Sequence, residues 1–194
     1  MAPKHVERDE FMDSFPALLK SRSPERSVEA CVVVREAYVP IIKIVYEGVD
    51  VDLIFVALKQ SSVPDAIDLK DNNLLRGLSD IDLRSVNGVR VTDEMLSVVP
   101  QQKAFRNALR AIKLWAQRHA IYSNISGFPG GVAWAMMVAR VCQLYPMATS
   151  SVLVGKTLDL IARWSWPRPI QLKQYTKGPL EVREWNPSVR RCCA

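Results

Sequence analysis

The sequence predicts an α+β chain, with a short strand-rich segment near the N-terminus and a longer helical region after it. Three observations carry this. Residues 29–58, EACVVVREAYVPIIKIVYEGVDVDLIFVAL, are rich in Val, Ile and Tyr and are broken by turn residues, as strands are. Residues 103–120, KAFRNALRAIKLWAQRHA, place apolar side chains at helical spacing. A chain of 194 residues, 48% hydrophobic and 24% charged, is enough for one well-packed domain or one domain plus part of another. Its composition is not that of a disordered chain.

The first element is a helix over 6–20, with Phe11, Phe15, Leu18 and Leu19 on its apolar stripe. A polar loop with a proline, SRSPERS, follows at 21–27. Successive strands come next, the second opened by Pro40, with Glu47-Gly48 turning the chain into the third. In the third, alternation sends Val49, Val51, Leu53 and Phe55 to one face and Asp50, Asp52 and Ile54 to the other. Neighbouring carboxylates repel unless something positive lies between them, and a divalent cation answers that need. A solvated edge strand tolerates the same pair without a metal. Three short strands are a thin sheet by themselves, so the pattern also calls for further pairing partners.

After KQSSVPDAID the character turns helical. Asn87-Gly88 is a turn signal, although the Asn87 amide could instead serve a nucleotide sugar or phosphate. Thr92 is a suitable N-cap for DEMLSVV, with Asp93 and Glu94 in the first turn and Pro100 as the stop. In 103–120 the apolar stripe is Phe105, Ala108, Leu109, Ile112, Trp115 and His119, with Arg106, Arg110, Lys113 and Arg118 opposite or beside it. The interruption SGFPGG precedes VAWAMMVARVCQLY, apolar enough to be central to a bundle. SSVLVGKTLDLIARWSW reads as a last helix ended by PRP, and the tail QLKQYTKGPLEVREWNPSVRRCCA has little pattern.

The net charge of +6 is uneven. Residues 1–60 hold 8 Lys and Arg against 10 Asp and Glu, and residues 61–194 hold 18 against 10. That asymmetry suits a polyanionic partner for the second part, or simply a basic protein surface. Cys31, Cys142, Cys192 and Cys193 show neither metal-type spacing nor a disulfide framework, which points to a reducing, intracellular setting. No apolar run approaches the roughly 20 residues of a membrane span, and the N-terminus has no secretory h-region. His5 and His119 read as structural, and Trp115, Trp134, Trp164 and Trp166 as core residues.

Two stretches could carry chemistry. Lys113 lies one turn from Arg110, with Tyr122 shortly beyond the helix, and a fixed lysine can bind a phosphate while a tyrosine stacks or donates. GFPGGVAW puts three glycines where a helix begins, which allows either phosphate approach to free N–H groups or a tight interhelical turn.

Together, SVNGVRVTDEMLSVVP, FRNALRAIKLWAQRHAIYSNISGFPGGVAWAMMVARVCQLYP and WSWPRPIQLK resemble the eukaryotic nuclear poly(A) polymerases, the fungal form in particular. The resemblance runs from about Ala2 to Pro187 and leaves SVRRCCA unmatched. It implies the C-terminal part of a polymerase-beta-like nucleotidyltransferase domain over 1–59, an incomplete helical central domain over 60–187 and a divergent tail over 188–194. The implied activity is transfer of AMP from ATP to RNA 3′ ends in mRNA polyadenylation, by a two-metal mechanism with Mg²⁺ or Mn²⁺. Asp52 matches the third catalytic carboxylate, a metal ligand, and Asp50 an acidic position that is not a ligand. Asn87, Lys113 and Tyr122 match positions that contact ATP, the last two on its phosphates, and Gly131 and Val132 match the turn beside the nucleotide. The implied setting is the nucleus, with the RNA 3′ end, ATP and cleavage and polyadenylation factors as partners and no membrane.

In the family, a Gly-Ser helix start and a D-x-D pair precede the segment matching APKHVERDEF, and these residues are absent from this sequence. The expectation is therefore a chain truncated at both ends, with an incomplete metal site and no activity alone. The alternative is a non-catalytic module of the same origin that binds RNA or a protein partner.

Overall fold

Glu47 and Gly48 both adopt positive φ, 49° and 74°, the pair of left-handed residues that a two-residue type I′ hairpin turn requires. Glycine takes that conformation freely, whereas Glu47 is held in it. Its N–H donates to the Ser27 carbonyl (2.9 Å), and the Ser27 hydroxyl donates to its carboxylate (3.2 Å). The Gly48 N–H donates to the Glu29 carboxylate (2.7 Å). The turn joins β2 (Ile41–Tyr46) to β3 (Val49–Ile54), and β1 (Val28–Val34) pairs on the other side of β2, giving an antiparallel sheet in the order β1-β2-β3. Pro40 immediately precedes β2, as expected.

This computed structural model describes residues 2–64 and 67–174. The chain divides into two compact units, Met1–Val91 and Thr92–Ala194. In the first, α1 (Arg8–Arg22) covers one face of the sheet. Met12, Ile42 and Ile44 form the buried centre, with Phe11, Phe15, Leu19, Cys31, Val33, Tyr46 and Leu53 packed around them. Phe11 lies 4.9 Å, ring to ring, from both Phe15 and Phe55. The expected stripe needs one correction. Leu18 is exposed and Met12 fills the core, because the buried face is centred on Met12, Phe15 and Leu19. Ala2 and Lys4 pair in parallel with the chain beyond β3, through Ala2 N–H to Val56 O, Leu58 N–H to Ala2 O and Lys4 N–H to Gln60 O.

Helix α2 (Asp80–Val98) overturns two local expectations. Asn87-Gly88 lies inside it, not in a turn, and Thr92 is an interior residue, not an N-cap. The start signal lies earlier. The Ser79 hydroxyl accepts from the Asp82 N–H (3.2 Å), the N-cap bond to the third helical residue, and donates to the Asp82 carboxylate (2.6 Å). Arg8 of α1 pairs with the same carboxylate. Burial of Val86 and Met95 carries the helix through the glycine, at a propensity cost of about 1 kcal/mol.

In the second unit, α3 (Gln102–Arg118), α4 (Gly131–Leu144) and α5 (Ser150–Arg163) pack against one another. Helix α4 is the most buried, through Trp134, Ala135, Met137, Val138, Ala139, Val141 and Cys142, as its nearly unbroken apolar sequence requires. The buried stripe of α3 is Ala104, Phe105, Ala108, Ile112 and Ala116. His119 lies outside that stripe: it is exposed at the end of α3, its Nδ1 2.9 Å from the Trp115 carbonyl. Helix α5 stops at Arg163, earlier than the apolar pattern suggested. Trp164 turns extended, and the Trp166 indole N–H donates to the Ile161 carbonyl (3.1 Å), satisfying one of the carbonyls a helix end leaves open. Trp166 is 55% exposed and so is not a core residue. No helix among the described residues is long and apolar enough to cross a membrane.

Candidate functional site

In the first unit the face of the sheet opposite α1 carries Ile41, Lys43 and Val45 on β2 and Asp50, Asp52 and Ile54 on β3. The register sets Lys43 across from Asp52 and Val45 across from Asp50. All three charged side chains are exposed. The expected segregation of the two acids onto one strand face is therefore met, and β3 is an edge of the sheet. Lys43 is a residue that reading β3 alone missed. The signal was available, because a two-residue loop at 47–48 fixes Tyr46 opposite Val49 and hence Lys43 opposite Asp52. Among the described residues, no group of three or more His, Cys, Asp or Glu side chains could hold a metal ion. Asn87 is exposed on α2, a different element of the same unit.

The second unit brings three of the expected residues together. Lys113 is half-buried on α3. After that helix, Ala120 at φ 55° reverses the chain, and Ile121 N–H bonds back to the Ala116 carbonyl (3.0 Å). The loop then folds on itself. Phe128 N–H donates to Ser123 O (3.1 Å), and Gly127 at φ 78° supplies the left-handed step before α4. This geometry sets the Tyr122 ring 5.9 Å from the Lys113 ammonium. Both side chains meet the first residue of α4. A Cβ placed on Gly131 would stand 2.9 Å from the Tyr122 hydroxyl and 3.7 Å from Lys113 Nζ.

Glycine at 131 is thus the residue that lets an ammonium and a phenol approach the start of a helix. The N-cap, Gly130, makes no side-chain capping bond, so the first N–H groups of α4 point outward with the positive end of the helix dipole. An ammonium, a hydroxyl and a helix start together form a site for an anion of phosphate type. Val132, 57% exposed on the first turn, offers an apolar surface next to it. Behind the helix start, Trp134 is buried edge-on to Trp115 at 6.2 Å, which ties α4 to α3 beside Lys113.

Comparison with known proteins identifies the family. Residues 1–99 match the family model of the poly(A) polymerase nucleotidyltransferase domain, and residues 104–192 that of the poly(A) polymerase central domain. Poly(A) polymerase PAPa of Candida albicans is 52% identical over 189 residues, 97% of this chain and 34% of the relative. Poly(A) polymerase PAPalpha of the same organism is 53% identical over 97% of this chain and 33% of its own length. Poly(A) polymerase pla1 of Schizosaccharomyces pombe is 52% identical with the same coverage as PAPalpha. The chain spans about a third of the length of these relatives.

Proposed function

The chain belongs to the poly(A) polymerase family, a family of polynucleotide adenylyltransferases, and from that premise we propose that it carries the triphosphate-binding part of an ATP-dependent, RNA-extending site. The observation that carries this reading is the meeting of Lys113, Tyr122 and Gly131 at the start of α4. Lys113 neutralises phosphate charge as a point cation, Tyr122 donates a hydrogen bond, and the N–H groups of α4 add fixed positive dipoles. Val132 packs beside the nucleotide.

A nucleotidyltransferase of this family works with ATP and a divalent metal, Mg²⁺ or Mn²⁺, which clamps the attacking hydroxyl and the leaving pyrophosphate when bound. Asp52 is the carboxylate of this chain suited to hold such an ion. The described residues do not fit a complete two-metal site, since no third acid, His or Cys joins Asp50 and Asp52. By itself this chain therefore binds ATP phosphates without extending RNA. On the same reading its setting is the nucleus, with mRNA 3′ ends and cleavage and polyadenylation factors as partners, and the support is the resemblance of its motifs to the nuclear enzymes.

Two measurements test the reading. Titrating ATP into the purified chain gives saturable binding that Lys113→Ala weakens about tenfold or more; binding indifferent to that change overturns the site. Incubation with ATP, an RNA primer and Mg²⁺ or Mn²⁺ gives no tail. Metal-dependent tail growth that is lost in Asp52→Ala overturns the inactivity of the chain alone. A second reading, a non-catalytic RNA-binding module, draws on the charge of residues 92–194, which hold 14 Lys and Arg against 5 Asp and Glu. Its mark is salt-sensitive RNA binding that Asp52→Ala leaves unchanged.

A further inference from the structure

The second unit has a shallow cleft away from the start of α4. It lies where the end of α4 meets the exposed face of α5, and Tyr145, Lys156, Asp159, Leu160, Arg163 and Trp164 line it. Its volume is about 220 Å³, below the roughly 300–1,000 Å³ of sites that enclose a whole drug-sized ligand. A cleft of this size accepts one ring system, not a nucleoside triphosphate.

The lining combines aromatic faces with cations. Lys156 Nζ lies 5.4 Å from the centre of the Tyr145 ring, which holds the ammonium at the cleft. No ion-pair partner meets Lys156 among the described residues. The Arg163 side chain is 83% exposed and only loosely engaged, 3.9 Å from Asp159. The indole N–H of Trp164 donates to the Arg168 carbonyl (2.6 Å), so the ring is fixed before any ligand arrives, and little ordering cost remains to be met on binding. Two cations against one acid select a negatively charged occupant, and fixed aromatic rings select one with a flat face. A single-stranded nucleic acid has both. An acidic peptide satisfies only the charge.

We propose that this cleft is a subsite for one unpaired nucleotide of an RNA strand, its base against Trp164 and Tyr145 and its phosphate at Lys156 and Arg163. The inference rests on the reading of the chain as one that acts on RNA, and it adds a contact remote from the triphosphate-binding residues. Both cations stand on the outer surface of α5, so reversing them leaves the core intact.

The test is binding of fluorescein-labelled oligo(A) to the purified chain across a salt series, followed by anisotropy, with ATP binding measured in parallel. Lys156→Glu with Arg163→Glu weakens oligo(A) binding about tenfold or more and lowers the salt slope by about 1–2. Trp164→Leu weakens binding about tenfold with the salt slope unchanged, since stacking is not electrostatic. Circular dichroism and thermal midpoints confirm that each variant is folded. ATP affinity stays at the parent value in all of them, whereas failure of the triphosphate reading appears in Lys113→Ala. Three results overturn the subsite: no oligo(A) binding by the parent chain, unchanged oligo(A) affinity in a folded Trp164→Leu chain, or displacement of oligo(A) by poly-glutamate as effective as by unlabelled oligo(A).

Discussion

Lys43 stands across from Asp52 in the β2–β3 ladder, on the face of the sheet opposite α1. The pair answers, within the chain, the electrostatic problem that two acids on one strand face pose. Directly opposed charges of unlike sign contribute about 0.2–1 kcal/mol, and opposed like charges cost a similar amount. Lys43→Glu gathers three carboxylates on that face. It lowers the thermal midpoint by roughly 2–8 °C at low salt, and added salt shrinks the loss because the groups are exposed. A loss of equal size at high salt refutes the electrostatic account.

Gly131→Ala tests the close approach at the start of α4. The added methyl would stand 2.9 Å from the Tyr122 hydroxyl, so the phenol must move. Alanine is otherwise suited to a first helical turn, so thermal stability stays near the parent value while ATP affinity falls about tenfold. In a Tyr122→Phe background the obstructing oxygen is gone, and the same substitution costs little more. Strict additivity of the two changes in ATP titrations shows that residues 122 and 131 do not act through each other.

The strands and the helical unit were legible because each local signal there agreed with the tertiary demand. Glu47-Gly48 marked a hairpin, and 131–144 was nearly unbroken in apolar residues. The turn reading failed because a local preference worth about 1 kcal/mol loses to burial. Asn87-Gly88 read as a turn, yet Val86 before it and Met95 after it are both buried in one continuous helix. His119 fell on an apolar spacing, but α3 had already ended. Of the candidate site, Lys113, Tyr122 and Gly131 were each legible as chemistry. Their meeting was not, because it depends on the left-handed step at Ala120 and the loop closed between Ser123 and Phe128.

Gly88→Ala follows from the helical placement of that residue. Nothing lies within 4 Å of a Cβ built there, and its φ is not left-handed. Alanine in a helix interior is favoured over glycine by roughly 0.5–1 kcal/mol. The substitution therefore raises the urea midpoint. A fall in that midpoint signals a turn at 87–88 in solution.

Cys142 has a pH signature. Burial within α4 pushes its thiol up to about 11, so at about pH 8 the native protein resists iodoacetamide at this position. A raised folded-state pKa means that the neutral thiol is the form folding favours. That contribution is complete below the thiol's unfolded pKa and is lost as pH rises through about 11. Peptide mapping after alkylation, with and without urea, reads this directly. Equal labelling of Cys142 in both conditions contradicts its burial.

The junction of α1 and α2 rests on one side chain, Asp82. The Asp82 carboxylate accepts from the Ser79 hydroxyl and pairs with Arg8, and the Asp82 and Arg8 side chains are only 12% and 20% exposed. Arg8 Nε has no partner of its own, so the guanidinium relies on this carboxylate. Asp82→Ala leaves the backbone cap, Asp82 N–H to Ser79 Oγ, in place but strands a largely buried cation, which costs roughly 3–5 kcal/mol by analogy with other broken buried pairs. Removing both charges differs in kind. In Arg8→Met with Asp82→Leu no buried charge is left unpaired, and much of the loss returns, apart from about 1 kcal/mol for the Ser79 hydroxyl's lost bond to the carboxylate. Urea unfolding of the three proteins decides the matter: a double variant as unstable as Asp82→Ala places the energy in the Ser79–Asp82 side-chain hydrogen bond, not in the ion pair.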